Sequence, residues 1–194
     1  GDVYKRQVIM TSILIIYYSQ NGSTKKMARL ISRGVEAVDG VSSTIRTVSS
    51  DINESDAIVE KSDLEKCDGL IIGSPTHFGN MAAPMKKFID STTSEWFNGT
   101  LINKFAGVFT STSSMHGGQE TTLLSMMLPL IHHGMIIMGV PYSEVRLNST
   151  VSGGTPYGPT HVSNKDNDNI SDDEHAICIS FGKRFGEVCK RYKS

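Results

Sequence analysis

The sequence lacks the features of several large classes of protein. It has only three cysteines, Cys67, Cys178 and Cys189, with no CxxC pair, so neither a disulfide scaffold nor a cysteine-based metal site is expected. No apolar run approaches the roughly 18 residues that a membrane span needs. The 19 basic and 20 acidic side chains give a net charge of −1, which argues against nucleic acid or an anionic membrane as a partner. We therefore expect a cytoplasmic protein without a metal ion.

The composition is that of an ordinary globular domain. The 194 residues are 38% hydrophobic and 20% charged, and a chain of this length buries roughly 70% of its unfolded surface. Gly1 to Gln7 show no apolar periodicity, so residues 1–9 are expected to be a tail or a remnant of expression. Residues 10–194 are then predicted to form a single domain.

Apolar runs predict five strands. The run ILIIYY at 13–18 has no polar alternation, as expected for a strand that is covered on both faces. Similar runs predict buried strands at 69–74, 104–110 and 135–140. The run STIRTV at 43–48 alternates polar and apolar residues, which indicates an edge strand.

Helical periodicities lie between these strands. They predict a helix at 24–38, one that begins near Pro84, one around 123–131, and a last helix after Ser171 with Cys178 and Cys189 in its core. His133, near the end of the third of these helices, is expected to interact with its last carbonyl groups. Strands interleaved with helices predict a three-layer α/β sandwich with right-handed crossovers. Residues 141–169 form a polar, Gly-rich connection, and connections this long are usually functional or mobile.

Polar loops follow three of the buried strands, at the carboxyl edge where ligands bind in an open parallel sheet. The first loop runs into a helix whose free N–H groups favour a phosphate monoester. Its glycine can adopt a positive φ. A polar turn that only caps a helix is the alternative interpretation. The residues of this loop are Ser19, Gln20, Asn21, Gly22, Ser23 and Thr24.

The other two loops add hydroxyl, amide and aromatic groups that we expect to converge on the same site. Solvated connections are the alternative for both loops, and Phe78 could be a rim residue of the core. The absence of GxxxxGK[ST] and GxGxxG excludes the common nucleotide-binding motifs. The loop residues are Pro75, Thr76, His77, Phe78 and Gly79 after the third strand, and Ser111, Thr112, Ser113, Ser114, Met115 and His116 after the fourth.

Five segments together resemble the WrbA family of flavodoxin-like NAD(P)H:quinone oxidoreductases, and the first loop resembles the phosphate loop of flavodoxins. The resemblance runs from about residue 13 to residue 157 and continues more weakly into the last helix. His77 stands where the family has an arginine, and Asn21 where it commonly has an aromatic residue. The segments are YYS at 17–19, GSPTHFGNM at 73–81, GGQE at 117–120, HHGM at 132–135 and GGTPYG at 153–158.

The resemblance implies a flavodoxin-like fold with a five-stranded parallel sheet in the order 2-1-3-4-5, and FMN as the cofactor. By analogy, the loop at 19–24 holds the phosphate, residues 76–78 line one side of the isoalloxazine ring and residues 111–116 line the other. His132 would lie close to the ring, and Trp96 and Phe78 would contact the quinone or nicotinamide. The family is generally tetrameric, with neighbouring subunits completing the sites.

The expected function is FMN-dependent, two-electron reduction of quinones by NADH or NADPH. The flavin carries the chemistry through N5, so no protein residue is expected to act as an acid or base, and a shared slot for donor and acceptor predicts ping-pong kinetics. A flavodoxin-type electron carrier and an FMN-dependent azo or flavin reductase are the alternatives. Carriers usually find their partners through a strongly acidic face, and a net charge of −1 gives little sign of one.

Overall fold

The computed structural model describes residues 10–48, 55–163 and 169–193, so the tail expected at 1–9 lies outside the described residues. The strands are β1 (Thr11–Tyr17), β2 (Val41–Thr47), β3 (Gly69–His77), β4 (Asn80–Met81), β5 (Phe105–Thr112), β6 (Ile136–Ile137) and β7 (Thr160–Val162). The helices are α1 (Ser23–Glu36), α2 (Lys61–Lys66), α3 (Ala83–Asp90), α4 (Thr93–Phe97), α5 (Gln119–His132), α6 (Arg146–Ser149) and α7 (Asp172–Lys193).

The predicted parallel sheet is confirmed. Its main path runs β2-β1-β3-β5-β6, with β4 paired antiparallel to β3 and β7 paired parallel to β5. The two-residue strand β4 lies outside this path. When the five main strands are numbered without it, their order is the expected 2-1-3-4-5. The central strand β1 is buried along almost its whole length, as its continuous apolar sequence predicts.

Helices cover both faces of the sheet, so the predicted three-layer sandwich is also confirmed. One apolar core lies between the sheet and α1 with α7, and it includes Cys178 and Cys189. The other core lies on the opposite face under α3 and α5 and includes Cys67. All three cysteines are free thiols. No helix in the described part of the chain is both long enough and apolar enough to cross a bilayer.

The structure corrects two details at the sheet edge beyond β5. The strand predicted at 135–140 is limited to β6, because the backbone N–H of Met138 still pairs with Ala106 but that of Val140 donates to Pro156. The connection predicted at 141–169 contains α6 and the strand β7. β7 pairs with the carboxyl end of β5, in the register Ser111 to His161. A three-residue strand in a polar, Gly-rich segment leaves no apolar run from which to predict it.

Two glycines allow α1 and α7 to pack with their backbones almost in contact. A Cβ atom on Gly34 would overlap the carbonyl of Ile179, and one on Gly182 would overlap the carbonyl of Ile31. Both positions are buried. The two helices therefore cover one face of the sheet as a single closely packed layer.

We predict that Gly182→Ala lowers the free energy of unfolding by about 1–3 kcal/mol, because the added methyl group forces the two helix backbones apart. Gly186→Ala is the matched control on the same helix, since its Cβ would lie 3.3 Å from a movable methyl group of Val41. There the gain in helix propensity, up to about 1 kcal/mol, offsets the crowding. Urea denaturation of both variants measures the difference, and equal losses would contradict the close-packing argument.

Candidate functional site

The three polar loops converge on one pocket at the carboxyl edge of the sheet. It encloses about 220 Å³. Each of the three loops contributes, and a fourth segment adds one residue. The lining residues are Ser19, Gln20, Asn21, Ser23, Thr24, Pro75, Thr76, His77, Ser111, Thr112, Ser113 and Ser163.

The first loop turns the chain from β1 into α1 and leaves backbone donors available. Gly22 has a φ of 94°, the left-handed conformation that glycine adopts without a steric penalty. The Ser19 hydroxyl accepts the N–H of Gly22 at 3.0 Å. The amides of Ser23 and Thr24, by contrast, donate to no protein acceptor among the described residues. The positive end of the α1 dipole and these two N–H groups therefore favour an anion.

Hydroxyl groups connect the loops to one another. Thr24 of α1 and Ser111 at the end of β5 share a buried hydrogen bond of 2.8 Å between their hydroxyl oxygens. On the other face of the sheet, Thr122 of α5 donates to Thr76 at 3.1 Å. Thr76 in turn bonds to the hydroxyl of Thr110 at 3.1 Å. These bonds hold the pocket walls in a fixed relation before any ligand is present.

The pocket lining carries no Asp, Glu, Lys or Arg side chain, and His77 is its one titratable side chain among the described residues. Its donors are hydroxyls, amides and backbone N–H groups. A hydrogen bond to a charged group is worth about 1.5–3 kcal/mol, so a few of these donors suffice to hold a phosphate monoester. The residues present therefore fit the phosphate end of FMN.

Several of the predicted cofactor residues stand beside the pocket and do not line it. Phe78 and Gly79 form the tip of the β3–β4 hairpin, with φ angles of 53° and 71°, and the Phe78 side chain is fully exposed. Positive φ angles at both residues are those of a two-residue type I′ turn. A left-handed phenylalanine costs about 1–3 kcal/mol. The others outside the lining are Gly22, Ser114, Met115 and His116.

Trp96 and His132 lie together in a second pocket of about 430 Å³, which shares no lining residue with the first. The Trp96 indole N–H donates to the His132 carbonyl at 2.9 Å. One chain by itself therefore does not bring these two residues to the three loops. The expectation for His133 is wrong, because its side chain is buried and its Nε2 bonds to the Thr92 hydroxyl at 2.9 Å instead of to helix carbonyls.

Sequence reasoning missed Ser163, which follows β7 and lines the pocket. Its backbone N–H donates to the carbonyl of Thr112 at 2.7 Å, which attaches the segment to the end of β5. The length of the connection at 141–169 was the signal that it had a function, but no motif marks this serine within it.

It also missed the role of Glu174, which lies in the first turn of α7. The carboxylate is buried and bonds to Nδ1 of His161 at 2.7 Å. Burial alone would raise the pKa of Glu174, but hydrogen bonds from His161, Val162 and Ser171 outweigh it and hold that pKa at about 2. Glu174 is therefore ionised at neutral pH.

Comparison with known proteins agrees with this geometry. A family model described as NADPH-dependent FMN reductase matches residues 11–146. A protein of Solidesulfovibrio magneticus named NAD(P)H dehydrogenase (quinone) is 36% identical over 205 aligned residues, covering 94% of this chain and 100% of that protein. A protein of the same name from Trichlorobacter lovleyi is 39% identical over 203 aligned residues, covering 94% of this chain and 98% of its own.

Solved structures show the same fold. The flavodoxin-like, WrbA-like protein of Agrobacterium tumefaciens superposes with a TM-score of 0.72 at 22% identity, covering 93% of this chain and 98% of that one. A flavodoxin from the domain Archaea superposes with a TM-score of 0.67 at 19% identity, covering 93% and 99%. These likenesses confirm the flavodoxin-like fold. The family match and the near-complete alignments to curated relatives show that the chain belongs to the NADPH-dependent FMN reductase family.

Proposed function

We propose that this protein is an FMN-dependent NAD(P)H:quinone oxidoreductase that passes two electrons from NADH or NADPH to a quinone. The observation that carries the proposal is the convergence of three loops of uncharged donors at the carboxyl edge of the sheet. Relatives named NAD(P)H dehydrogenase (quinone), which align over 94% of this chain, support it.

In this proposal the loop at 19–24 binds the phosphate through the free amides of Ser23 and Thr24 and the neighbouring hydroxyls. Residues 76–78 line one side of the flavin ring and residues 111–116 line the other. When bound, FMN supplies a ring nitrogen that accepts a hydride and a reduced ring that returns two electrons to the quinone. The chain has to bind and orient the ring and to leave one face accessible, and the proposal assigns no acid or base to the protein.

Because one accessible face must serve both NAD(P)H and the quinone, we predict ping-pong kinetics. Initial rates measured on the FMN-loaded protein with NADH or NADPH and benzoquinone should give parallel lines in double-reciprocal plots. Intersecting lines would contradict a shared slot. No oxidation of either nicotinamide, together with a stable one-electron reduced flavin, would instead support the electron-carrier alternative.

The phosphate position is tested by adding one negative charge to the loop. Ser23→Asp is expected to weaken FMN binding at least about 100-fold, because a carboxylate within a few ångströms of the phosphate costs several kcal/mol at an effective dielectric constant of about 20. The same change should stabilise the FMN-free protein by about 0.3–1 kcal/mol, since it places an acid at the N-terminus of α1.

Ser23→Asn is the control of equal size without the charge, and its affinity should stay within about tenfold of the parent protein. Titration of flavin fluorescence gives the affinities, and thermal unfolding gives the stability. Unchanged FMN affinity in the Ser23→Asp protein would remove this loop from the phosphate site.

The proposed active form is a homo-oligomer, a tetramer by resemblance, in which a neighbouring chain completes each site. The flavin pocket, at about 220 Å³, is smaller than the roughly 300–1,000 Å³ usual for small-molecule sites. Trp96 and His132 lie outside it. Exposed apolar residues recur at helical spacing along α5, and such an apolar stripe normally faces protein. They are Leu124, Leu128 and Ile131.

Leu128→Glu is therefore expected to dissociate the oligomer and to weaken FMN retention together with it. Val151→Glu changes a residue that is even more exposed, in a loop away from α5, and should leave the mass unchanged. Light scattering during size-exclusion chromatography measures the molecular mass of both variants. A parent protein that is monomeric at micromolar concentration would overturn this part of the proposal.

We place the protein in a reducing compartment, the cytoplasm. The three cysteines are free and buried. Burial raises the pKa of the Cys67 thiol to about 11 and that of Cys189 to about 12, so these thiols have little thiolate to oxidise. Their burial and raised pKa values support a packing role for the cysteines.

A further inference from the structure

The flavin pocket has a fourth wall, made by the segment that ends in Ser163. β7 lies beside the carboxyl end of β5 in parallel register, with Thr110 opposite Thr160 and Ser111 opposite His161. Directly after β7, the Ser163 N–H donates to the Thr112 carbonyl. The position of Ser163 in the pocket therefore depends on how firmly β7 is held against β5.

One buried carboxylate holds this segment at two widely separated points. Oε1 of Glu174 accepts the backbone N–H of Gly153 at 2.8 Å and that of Val162 at 3.0 Å. Oε2 accepts the N–H of Ser171 at 2.9 Å and Nδ1–H of His161 at 2.7 Å. Four donors fill the accepting positions of the carboxylate, and three of them belong to the segment between Gly153 and Ser163.

His161 is an unusual residue for a packing role. Its side chain is fully buried, and its Nε2 has no hydrogen-bond partner among the described residues. An unpaired buried ring nitrogen costs stability, and an apolar residue would avoid that cost. The Nδ1–H bond to Glu174 is the favourable contact that the imidazole makes here.

The same strand pair reaches the phosphate loop. Side chains of paired residues in parallel strands lie on the same face of the sheet, so His161 stands next to Ser111. The Ser111 hydroxyl shares the 2.8 Å bond with Thr24 in the first turn of α1. The Glu174–His161 pair therefore adjoins the pocket on two sides, at Ser163 and at Ser111.

We propose that Glu174 and His161 are positioning residues of the flavin site, which hold β7 against β5 and thereby place the Ser163 hydroxyl where it contacts the bound flavin. This inference rests on the proposed FMN position. Neither residue lines the pocket itself, so each acts through Ser163 and the end of β5.

A double-mutant cycle on FMN affinity tests this. Ser163→Ala should weaken FMN binding about fivefold, the value of one hydrogen bond, and Glu174→Gln about tenfold or more, because its amide group opposes the N–H donors of Ser171 and His161. The double variant should bind no more weakly than Glu174→Gln alone, since the serine is already displaced. Additive losses would show that Glu174 affects FMN binding independently of Ser163 and would overturn the inference.

If Glu174→Gln fails to fold, two variants of His161 test the same positioning role. His161→Asn keeps a donor at the position of Nδ1–H and should retain near-normal FMN affinity, whereas His161→Leu removes the donor and should weaken binding about fivefold. Equal affinities for the two would contradict the positioning role.

Asp173→Asn is the matched control for charge. It removes an acid from the same turn of α7, where Asp173 pairs with Arg146 at the surface, and should not change FMN affinity. A parent protein that bound no FMN would overturn the proposed function and this inference with it. Normal binding by the parent with an additive cycle would overturn the inference alone.

Discussion

One electrostatic constraint governs the proposed site: its lining would have to hold a phosphate dianion without a Lys or Arg side chain. The donors that it offers are the amides of Ser23 and Thr24 at the start of α1 and hydroxyls from neighbouring loops. A carboxylate in this ring of donors would oppose the anion, and none lines it. Because β1 is covered on both faces, ligand-binding groups are confined to the loops that leave the sheet at its carboxyl edge.

Packing far from the pocket keeps these donors aligned. The backbones of α1 and α7 approach closely at Gly34 and Gly182, which packs α1 firmly against the sheet. The hydroxyl bond between Thr24 and Ser111 then joins that turn to β5. On the far side of β5, the buried Glu174 attaches the segment that carries Ser163. The helix α7 thus contacts α1 near its middle, at Gly182, and the segment that carries Ser163 through Glu174 in its first turn.

The arrangement of the two pockets bears on the quaternary structure. A flavin needs its ring covered as well as its phosphate held, and the pocket in one chain is small and open. The aromatic and apolar groups suited to covering a ring, Phe78 and Trp96, are exposed to solvent in the single chain. A left-handed Phe78 costs stability within the single chain, and in the proposed oligomer contact with a second chain would offset that cost.

The sequence by itself determined the fold class and the three loops, because these depend on local patterns: apolar runs, helical periodicity and the residues directly after each strand. The order of the main strands and the cofactor followed from the resemblance of its motifs to the WrbA family. Only the tertiary structure decided which atoms meet. β7 is three residues long and has no apolar run, so its pairing with β5 and the placement of Ser163 could not be read from local pattern. The role of Glu174 was equally hidden, because an acid in the first turn of a helix looks the same in sequence whether it faces solvent or accepts four hydrogen bonds, three of them from a segment folded against it.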